Sequence, residues 1–533
     1  MTQPLSGAVA TPHSGATAAA HDAFAHGGNA IDAALAAAAM LTVVYPNQCT
    51  VGGDAIALVG TADGTVTVVN GSGRSARTLD ARDYAGADGF VPVSGAKSVT
   101  VPGLLSTWDK LATGWGRLPL AAALHRAADA AATGVPVAPG VHRDLLRERD
   151  LLAQDEGSKA AFFREDELLA EGELLRLPGL AESLRTIAEE GITAFYTGGI
   201  GQSIIARLRA LGSDLTPEDF ASHTASIEQP LSVAFQGEEY LSSGGNSQGT
   251  FFLSGLAALE EATTVLGHVP DPASADAPLI ARILATAALD RDMLLGDPEH
   301  SSMPLEKLLD PQVAKEKLTH LLAYPESPLQ ASGRTYGRRT GDTVAIVTTD
   351  SEGNWVSLIQ SAFHAFGSCI TDPGTGILLH NRGASFSLKE GSPAQLAPGR
   401  RPPHTLMPVL VRKGGKLVGA HGTMGGRAQP QIHTHLALNL ALGLSPEEAV
   451  AKGRWIVGQM EAGATASDEA STISVESGVE AATLQAFAAS GFTTNLLEPL
   501  DDAVGHLQTV RAAGSGFATG SDPRSDGLTG QEA

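Results

Sequence analysis

The sequence predicts a mixed α/β fold, and three stretches carry that prediction. Residues 29 to 44 (NAIDAALAAAAMLTVV) read as a buried helix. Residues 343 to 361 read as a β-hairpin, and the chain beyond returns to mixed strand and helix. At ~100–200 residues per domain, 533 residues make roughly two to four domains or one large α/β unit.

In the helix, Asn29 is a fair N-cap, Asp32 sits at the positive end of the helix dipole, and Pro46 stops the run. Its alanines predict close packing against another element. VGGDAIALVG (51 to 60) follows as a glycine turn feeding a short apolar strand. Residues 104 to 290 read as mostly helical, with amphipathic stretches such as LLRLPGLAESLRTIAEEG (174 to 191). Residues 323 to 342 (AYPESPLQASGRTYGRRTGD) are polar and rich in Pro, Gly and Arg, the pattern of an exposed linker or a cleavable loop. TVAIVTTD (343 to 350) and WVSLIQS (355 to 361) are rich in β-branched residues, with a Gly-Asn pair in the turn between them.

Composition excludes several function classes. With 36 Lys and Arg against 58 Asp and Glu, the net charge of −22 repels nucleic-acid phosphate. A hydrophobic share of 43% can fill a core, which argues against disorder. Two cysteines, Cys49 and Cys369, make no disulfide framework and fit a reducing compartment. Residues 1 to 20 contain no Lys or Arg, and the most apolar run, 31 to 44, is too short to span a membrane. A cytoplasmic protein without membrane partners is expected.

Four pieces carry chemistry. Thr343 opens a strand directly after Gly341-Asp342. A lone Thr there reads plainly as the start of a surface hairpin. A cut between Asp342 and Thr343 would instead set an α-amine, of pKa about 7.7–8, beside the hydroxyl as general base. If the loop is Asp350 to Asn354, equal steps outward from Thr349 and Trp355 place Thr343 opposite Ser361, with Cβ atoms about 4.5–5.5 Å apart. In GTMGG (422 to 426), Gly425 and Gly426 can turn two backbone N–H groups onto one point, as an oxyanion hole requires; a plain tight turn is the alternative. HNRGASFS (380 to 387) and RPPHTLMP (401 to 408) supply Asn381, Arg382, Ser385, His404 and Thr405. Arg382 can hold a substrate carboxylate bidentately, or simply pair with a surface acid.

Together these pieces resemble the γ-glutamyltransferase family of N-terminal-nucleophile hydrolases, nearly end to end. GGNAIDAALA (27 to 36), VPGLLSTWDKLATGWGRLPL (101 to 120), GDTVAIVTTDSEGNWVSLIQS (341 to 361), GTGILLHNRGASFS (374 to 387), GTMGG and SDPRSDG (521 to 527) fall in the family's order. The resemblance implies a four-layer αββα sandwich, cut autocatalytically into a large chain (1 to 342) and a small chain (343 to 533). It implies Thr343 as nucleophile with its own amine as base, Ser361 as a second hydroxyl beside it, and Gly425-Gly426 as the oxyanion hole. It also allows a homodimer of processed heterodimers.

Against the glutathione-acting members there are departures. The arginine that holds the glutamyl α-carboxylate is replaced by Gly71, and the carboxylate that holds the α-amine by Ser385. The paired serines of that pocket are here His404 and Thr405. The pattern is closer to the oxamate-amidohydrolase and acylase-like branch, with Arg382 or Arg74 as partner for a carboxylate on a small anionic amide. A γ-glutamyl hydrolase or transferase with altered recognition is one rival, and an unprocessed, non-catalytic binding homologue is another.

Other signals are weaker. His433 and His435 lack a third metal ligand and read as helix-surface residues. GGNSQGT (244 to 250) lacks the Lys of a phosphate loop and resembles a loop the family places near its active site. No nicotinamide, flavin or other cofactor is expected, and Cys369 reads as a small buried residue.

Overall fold

The computed structural model describes residues 7–86, 90–300, 304–325, 341–458 and 471–531. Its main strands are, in chain order, β1 (Gly7–Thr11), β2 (Asp54–Gly60), β3 (Val66–Asn70), β4 (Ser226–Glu228), β5 (Leu231–Phe235), β6 (Glu238–Ser242), β7 (Gly341–Asp350), β8 (Trp355–His364), β9 (Val409–Lys413), β10 (Lys416–Thr423), β11 (Leu507–Ala513), β12 (Gly516–Ser521) and β13 (Leu528–Gln531). They form a seven-stranded sheet, β13-β1-β7-β8-β2-β3-β4, and a six-stranded sheet, β12-β11-β10-β9-β6-β5.

Side-chain parity shows why the sheets are covered on both faces. In β7, Ala345 and Val347 point into an inter-sheet core with Ile56, Leu58, Ile359, Leu410 and Val510. Val344 and Ile346 point the other way, into a helical layer. That layer includes α1 (Ser14–Ala25), α2 (Ala30–Val44), α3 (Leu104–Trp115), α4 (Leu120–Thr133) and α5 (Pro178–Glu190). The second sheet carries α6 (Gly249–Leu266), α7 (Ala277–Leu294) and α8 (Gln429–Ala441) on its far side, packed against Val409 and Val411. The order helix, sheet, sheet, helix is the expected four-layer sandwich.

Every residue of α2 is buried, and its small side chains let it lie close to the first sheet. Asn29 and Asp32 close a reciprocal capping box. The Ala30 N–H donates to Asp350, which also accepts from the Glu352 and Asn354 amides, so one carboxylate ties the hairpin loop to the helix start. At the other end of the chain, Asp522 and Arg524 of SDPRSDG are buried in an ion-pair cluster with Arg454 and Glu476.

The stretch 104 to 290 is mostly helical, as expected; β4 interrupts it as an edge strand of the first sheet, and β5 and β6 because LSVAF and EEYLS pair in antiparallel register and extend the second sheet at its edge. One expectation is corrected. His433 and His435 are not on a surface: α8 is enclosed, and their rings pack on Phe252 and Trp455. The linker 323 to 342 lies largely in 326–340, outside the described residues.

Candidate active site

The hairpin register runs as expected from Thr349 opposite Trp355 to Val344 opposite Gln360. A bulge then falls between Asp342 and Val344, so that Asp342 faces Phe363 and Thr343 leaves the ladder. A bulge re-aims the extra side chain, and here it brings Thr343 Oγ1 to 3.2 Å from Ser361 Oγ. Thr343 and Ser361 are each 1% exposed.

Donor counting fixes the direction of these bonds. Ser361 Oγ lies 2.6 Å from the Asp342 carbonyl oxygen, which can only accept, and 2.7 Å from the Phe363 N–H, which can only donate. The single Ser361 proton therefore goes to the Asp342 carbonyl, and the Thr343 hydroxyl donates to Ser361 Oγ. A hydroxyl thus polarises the carbonyl of the bond at which cleavage is expected. Phe363 reaches this position in the left-handed region, at φ 82°, a costly conformation for a residue with a Cβ.

Ser361 pairs across the next strand with Asp54, so the three residues follow one another across one face of the sheet. Asp54 is fully buried. Its Oδ1 accepts the Gly103 N–H at 2.9 Å, while Oδ2 lies 3.2 Å from His404 Nε2 and 3.5 Å from His380 Nδ1. Burial opposes its charge, yet His380, the His404 hydrogen bond and Arg382 outweigh burial and hold the carboxyl down at about 2. His404 Nδ1 accepts the Leu406 N–H at 3.3 Å, so the ring is neutral, with its proton on Nε2 toward Asp54. Burial and then the Arg382 charge push His404 down to about 4.

Arg382 is buried, not a surface residue. It is 1% exposed, its guanidinium lies 3.8 Å from the Phe363 ring centroid, and Nη1 donates to Thr405 Oγ1 at 3.2 Å. Asn381 fixes this turn by accepting the His364 N–H and donating to the Val93 carbonyl. Ser385 Oγ lies within 2.9 Å of the Arg382 and Pro403 carbonyls.

A cavity of about 580 Å³ adjoins these groups, lined in part by Phe363, Ser385, His404, Thr405, Gln248 and Arg427. Gln248, from the glycine-rich 244 to 250 loop, donates to the carbonyls of Thr405 and Gly426, each at 2.7 Å. It thereby joins the GTMGG turn to the Arg382 side. Gly425 and Gly426 adopt φ 137° and 49°, values that glycine reaches without strain, and this turn packs against β7.

Ser385, His404 and Thr405 thus line one cavity, while Arg382 adjoins it through Thr405 and the Phe363 ring, and Ser361, with Thr343 beside it, through the Phe363 N–H. Arg74 is elsewhere: it pairs with Asp297 at 3.5 Å and Glu299 at 2.5 Å, and lines a separate polar pocket. Those two acids meet the charge that a substrate carboxylate was expected to meet, so Arg74 is withdrawn as a substrate partner. His404 also differs from expectation, since both ring nitrogens are occupied by protein groups. Among the described residues, three metal-capable groups converge only at Asp297, Glu299 and His300, where Arg74 already engages both carboxylates. Asp54, His380, Phe363 and Gln248 escaped the sequence reading. Only Asp54 had a local signal, a carboxylate placed directly after a glycine pair at a strand start.

The family model for gamma-glutamyltranspeptidase matches residues 16–531. The glutathione hydrolase-like YwrD proenzyme of Bacillus subtilis (strain 168) is 36% identical over 523 residues, covering 97% of each chain. The oxamate amidohydrolase proenzyme of Klebsiella pneumoniae is 30% identical over 533 residues, covering 98% of this chain and 97% of that one. Among solved structures, cephalosporin acylase from Bacillus halodurans superposes with a TM-score of 0.89 at 31% identity, over 99% of this chain and 96% of that one.

Proposed function

The chain belongs to the gamma-glutamyltranspeptidase family, and we propose that within it this protein is a self-cleaving amide hydrolase with Thr343 as nucleophile and a small anionic amide, such as oxamate, as substrate. The observation that carries the reading is the contact set around Ser361: nucleophile hydroxyl, second hydroxyl and scissile carbonyl lie in one hydrogen-bonded line.

In the precursor, Thr343 Oγ1 attacks the Asp342 carbonyl carbon. The C–N bond breaks, the proton lost from the Thr343 hydroxyl passes to the nitrogen, which becomes the free α-amine, and an ester joins Asp342 to Thr343 until water hydrolyses it. Chains of residues 1 to 342 and 343 to 533 result. The freed α-amine then takes the Thr343 hydroxyl proton as Oγ1 attacks the substrate amide. The Gly425 and Gly426 amides stabilise the oxyanion. Ammonia or an amine leaves with the returned proton, and water releases the acyl group. Arg382, backed by Phe363 and Thr405, supplies the positive charge that favours an anionic acyl group, and no cofactor is needed.

The glutathione hydrolase-like relative favours a second reading, a γ-glutamyl hydrolase or transferase. Gly71 and Ser385 stand against it, because both charged handles for a zwitterionic acyl group are absent. A denaturing gel tests cleavage: two bands support the reading, and a single full-length band persisting for days would indicate an unprocessed binding homologue. Ammonia release from oxamate, compared with turnover of a γ-glutamyl anilide, tests the substrate. Preference for the anilide would overturn the oxamate assignment.

A further inference from the structure

In the turn that follows β10, every carbonyl from Met424 to Arg427 is held by a donor. Thr423 Oγ1 donates to the Met424 carbonyl at 2.6 Å, and the Ala428 N–H to that of Gly425 at 2.8 Å. Gln248 Nε2 donates to the Gly426 carbonyl at 2.7 Å, and Arg291 Nη1 to that of Arg427 at 2.6 Å. Gln248 and Arg427 line the cavity, so the turn abuts it. The peptides here are trans, and a trans peptide sets its N–H opposite its carbonyl. Whatever holds one carbonyl therefore aims the amide of the next residue. The Gly426 N–H is aimed by the backbone of the turn itself. The Gly425 N–H is aimed by a side chain, the hydroxyl of Thr423.

That hydroxyl matters because glycine makes the opposite orientation cheap. Gly425 takes φ 137°, and a residue without a Cβ accepts either sign of φ, so Gly425 itself offers little resistance to rotation of the Met424–Gly425 peptide. The chain before that peptide is fixed: Thr423 pairs with Leu507 at the end of β10, and the Met424 N–H donates to the His506 carbonyl at 3.1 Å. The Met424 carbonyl is turned toward Gly505, where a Cβ would sit 2.4 Å from its oxygen. Thr423, 0% exposed, is the donor that keeps it there. Rotating the peptide would replace an N–H donor with a carbonyl oxygen on the face that an oxyanion needs.

We infer that Thr423 is a positioning residue, whose hydroxyl fixes the Met424–Gly425 peptide so that the Gly425 N–H, and not the Met424 carbonyl, faces the developing oxyanion. This rests on the reading of Gly425 and Gly426 as the oxyanion hole. Self-cleavage does not call on this peptide, because the Asp342 carbonyl takes its hydrogen bond from Ser361. Loss of the Thr423 hydroxyl therefore separates the two reactions of one chain: amide turnover slows and precursor cleavage does not. KM is spared as well, since the charge that the Gly425 N–H meets develops only in the transition state.

Two substitutions test this: Thr423→Val, which keeps the branched shape and loses the hydroxyl, and Thr423→Ser, which keeps the hydroxyl. Turnover is measured with oxamate or the γ-glutamyl anilide, whichever the wild-type enzyme uses, and cleavage of each precursor is followed on a denaturing gel. Thr423→Val is expected to lower kcat about 10- to 100-fold, short of the 10²–10³ that follows outright loss of an oxyanion donor. Its KM should stay within about twofold of wild type, and its precursor should split at the wild-type rate. Thr423→Ser should recover most of the lost kcat. If the valine precursor fails to fold, Thr423→Ala takes its place with the same expected split. An unchanged kcat, an equal loss in Thr423→Ser, or a turnover loss matched by equally slow cleavage would overturn the inference and leave Thr343 as nucleophile. If the wild-type chain stays uncut, or turns over neither amide, the reading of the site falls and the inference with it.

Discussion

Ser361 touches the cleavage chemistry from two sides, as acceptor for the Thr343 hydroxyl and as donor to the Asp342 carbonyl. Loss of a donor at a developing oxyanion costs about 10²–10³ in rate in comparable sites. Ser361→Ala is therefore expected to slow precursor cleavage by about that factor, and Ser361→Thr to restore most of it, both read from gel band intensities over time. Thr343→Ala should abolish cleavage altogether. A Ser361→Ala precursor that splits at the wild-type rate would remove the hydroxyl from the mechanism. The pair was legible in the sequence because a hairpin with a five-residue loop obeys simple counting. The bulge at Thr343 was not, since nothing in GDTVA marks a register change. Asp54 and His380 were still less legible: they stand far apart in the chain, and only tertiary packing sets them 3.5 Å apart.

At the scale of elements, the strand that carries Asp54 approaches β8 so closely that one position admits no side chain. A Cβ on Gly53 would sit 2.6 Å from the Ser361 carbonyl oxygen and 2.9 Å from that of Thr50. Both are backbone atoms, so relief requires moving β8 and with it the Ser361 hydroxyl. Gly53→Ala is expected to cost about 1–3 kcal/mol of stability and to slow cleavage. By contrast, Gly114 lies in α3 with nothing within 4 Å of its notional Cβ, and Gly114→Ala should stabilise by up to about 1 kcal/mol without affecting cleavage. Urea denaturation with a parallel cleavage assay checks the pair, and equal effects at both positions would contradict the close-approach argument. The same scale shows which elements local pattern could announce. α2 is written in its Asn29/Asp32 box and alanine run. β5 is a short edge strand on β6, and the pairing of β6 with β9 that brings both into the sheet depends on residues about 170 positions away.

At the scale of the whole molecule, the second sheet and its helices are built around histidines that fold in the neutral form. Burial holds His433 and His435 down at about 3 and His506 at about 4, and lowers His421 well below its ordinary value. His404, at about 4, belongs to the same group at the cavity. In the unfolded chain each titrates near 6.5, so below that pH the unfolded state binds more protons than the folded one. Their contribution to stability is fully present above pH 6.5 and is lost as pH falls toward 4 and then 3. Each group adds a slope of up to about 1.4 kcal/mol per pH unit in that window. The urea midpoint is therefore expected to be steady from pH 8 to 7 and to drop steeply between pH 6 and 4. His433→Phe, whose ring can keep the contacts with Phe252 and the His421 face, should make the drop shallower. A midpoint that stays flat down to pH 4.5 would mean that these imidazoles are accessible to protons in the native state. The exterior would not produce the same profile. Protonating surface carboxylates relieves part of the −22 charge, which favours the compact state, so acid lability in this range isolates the buried rings.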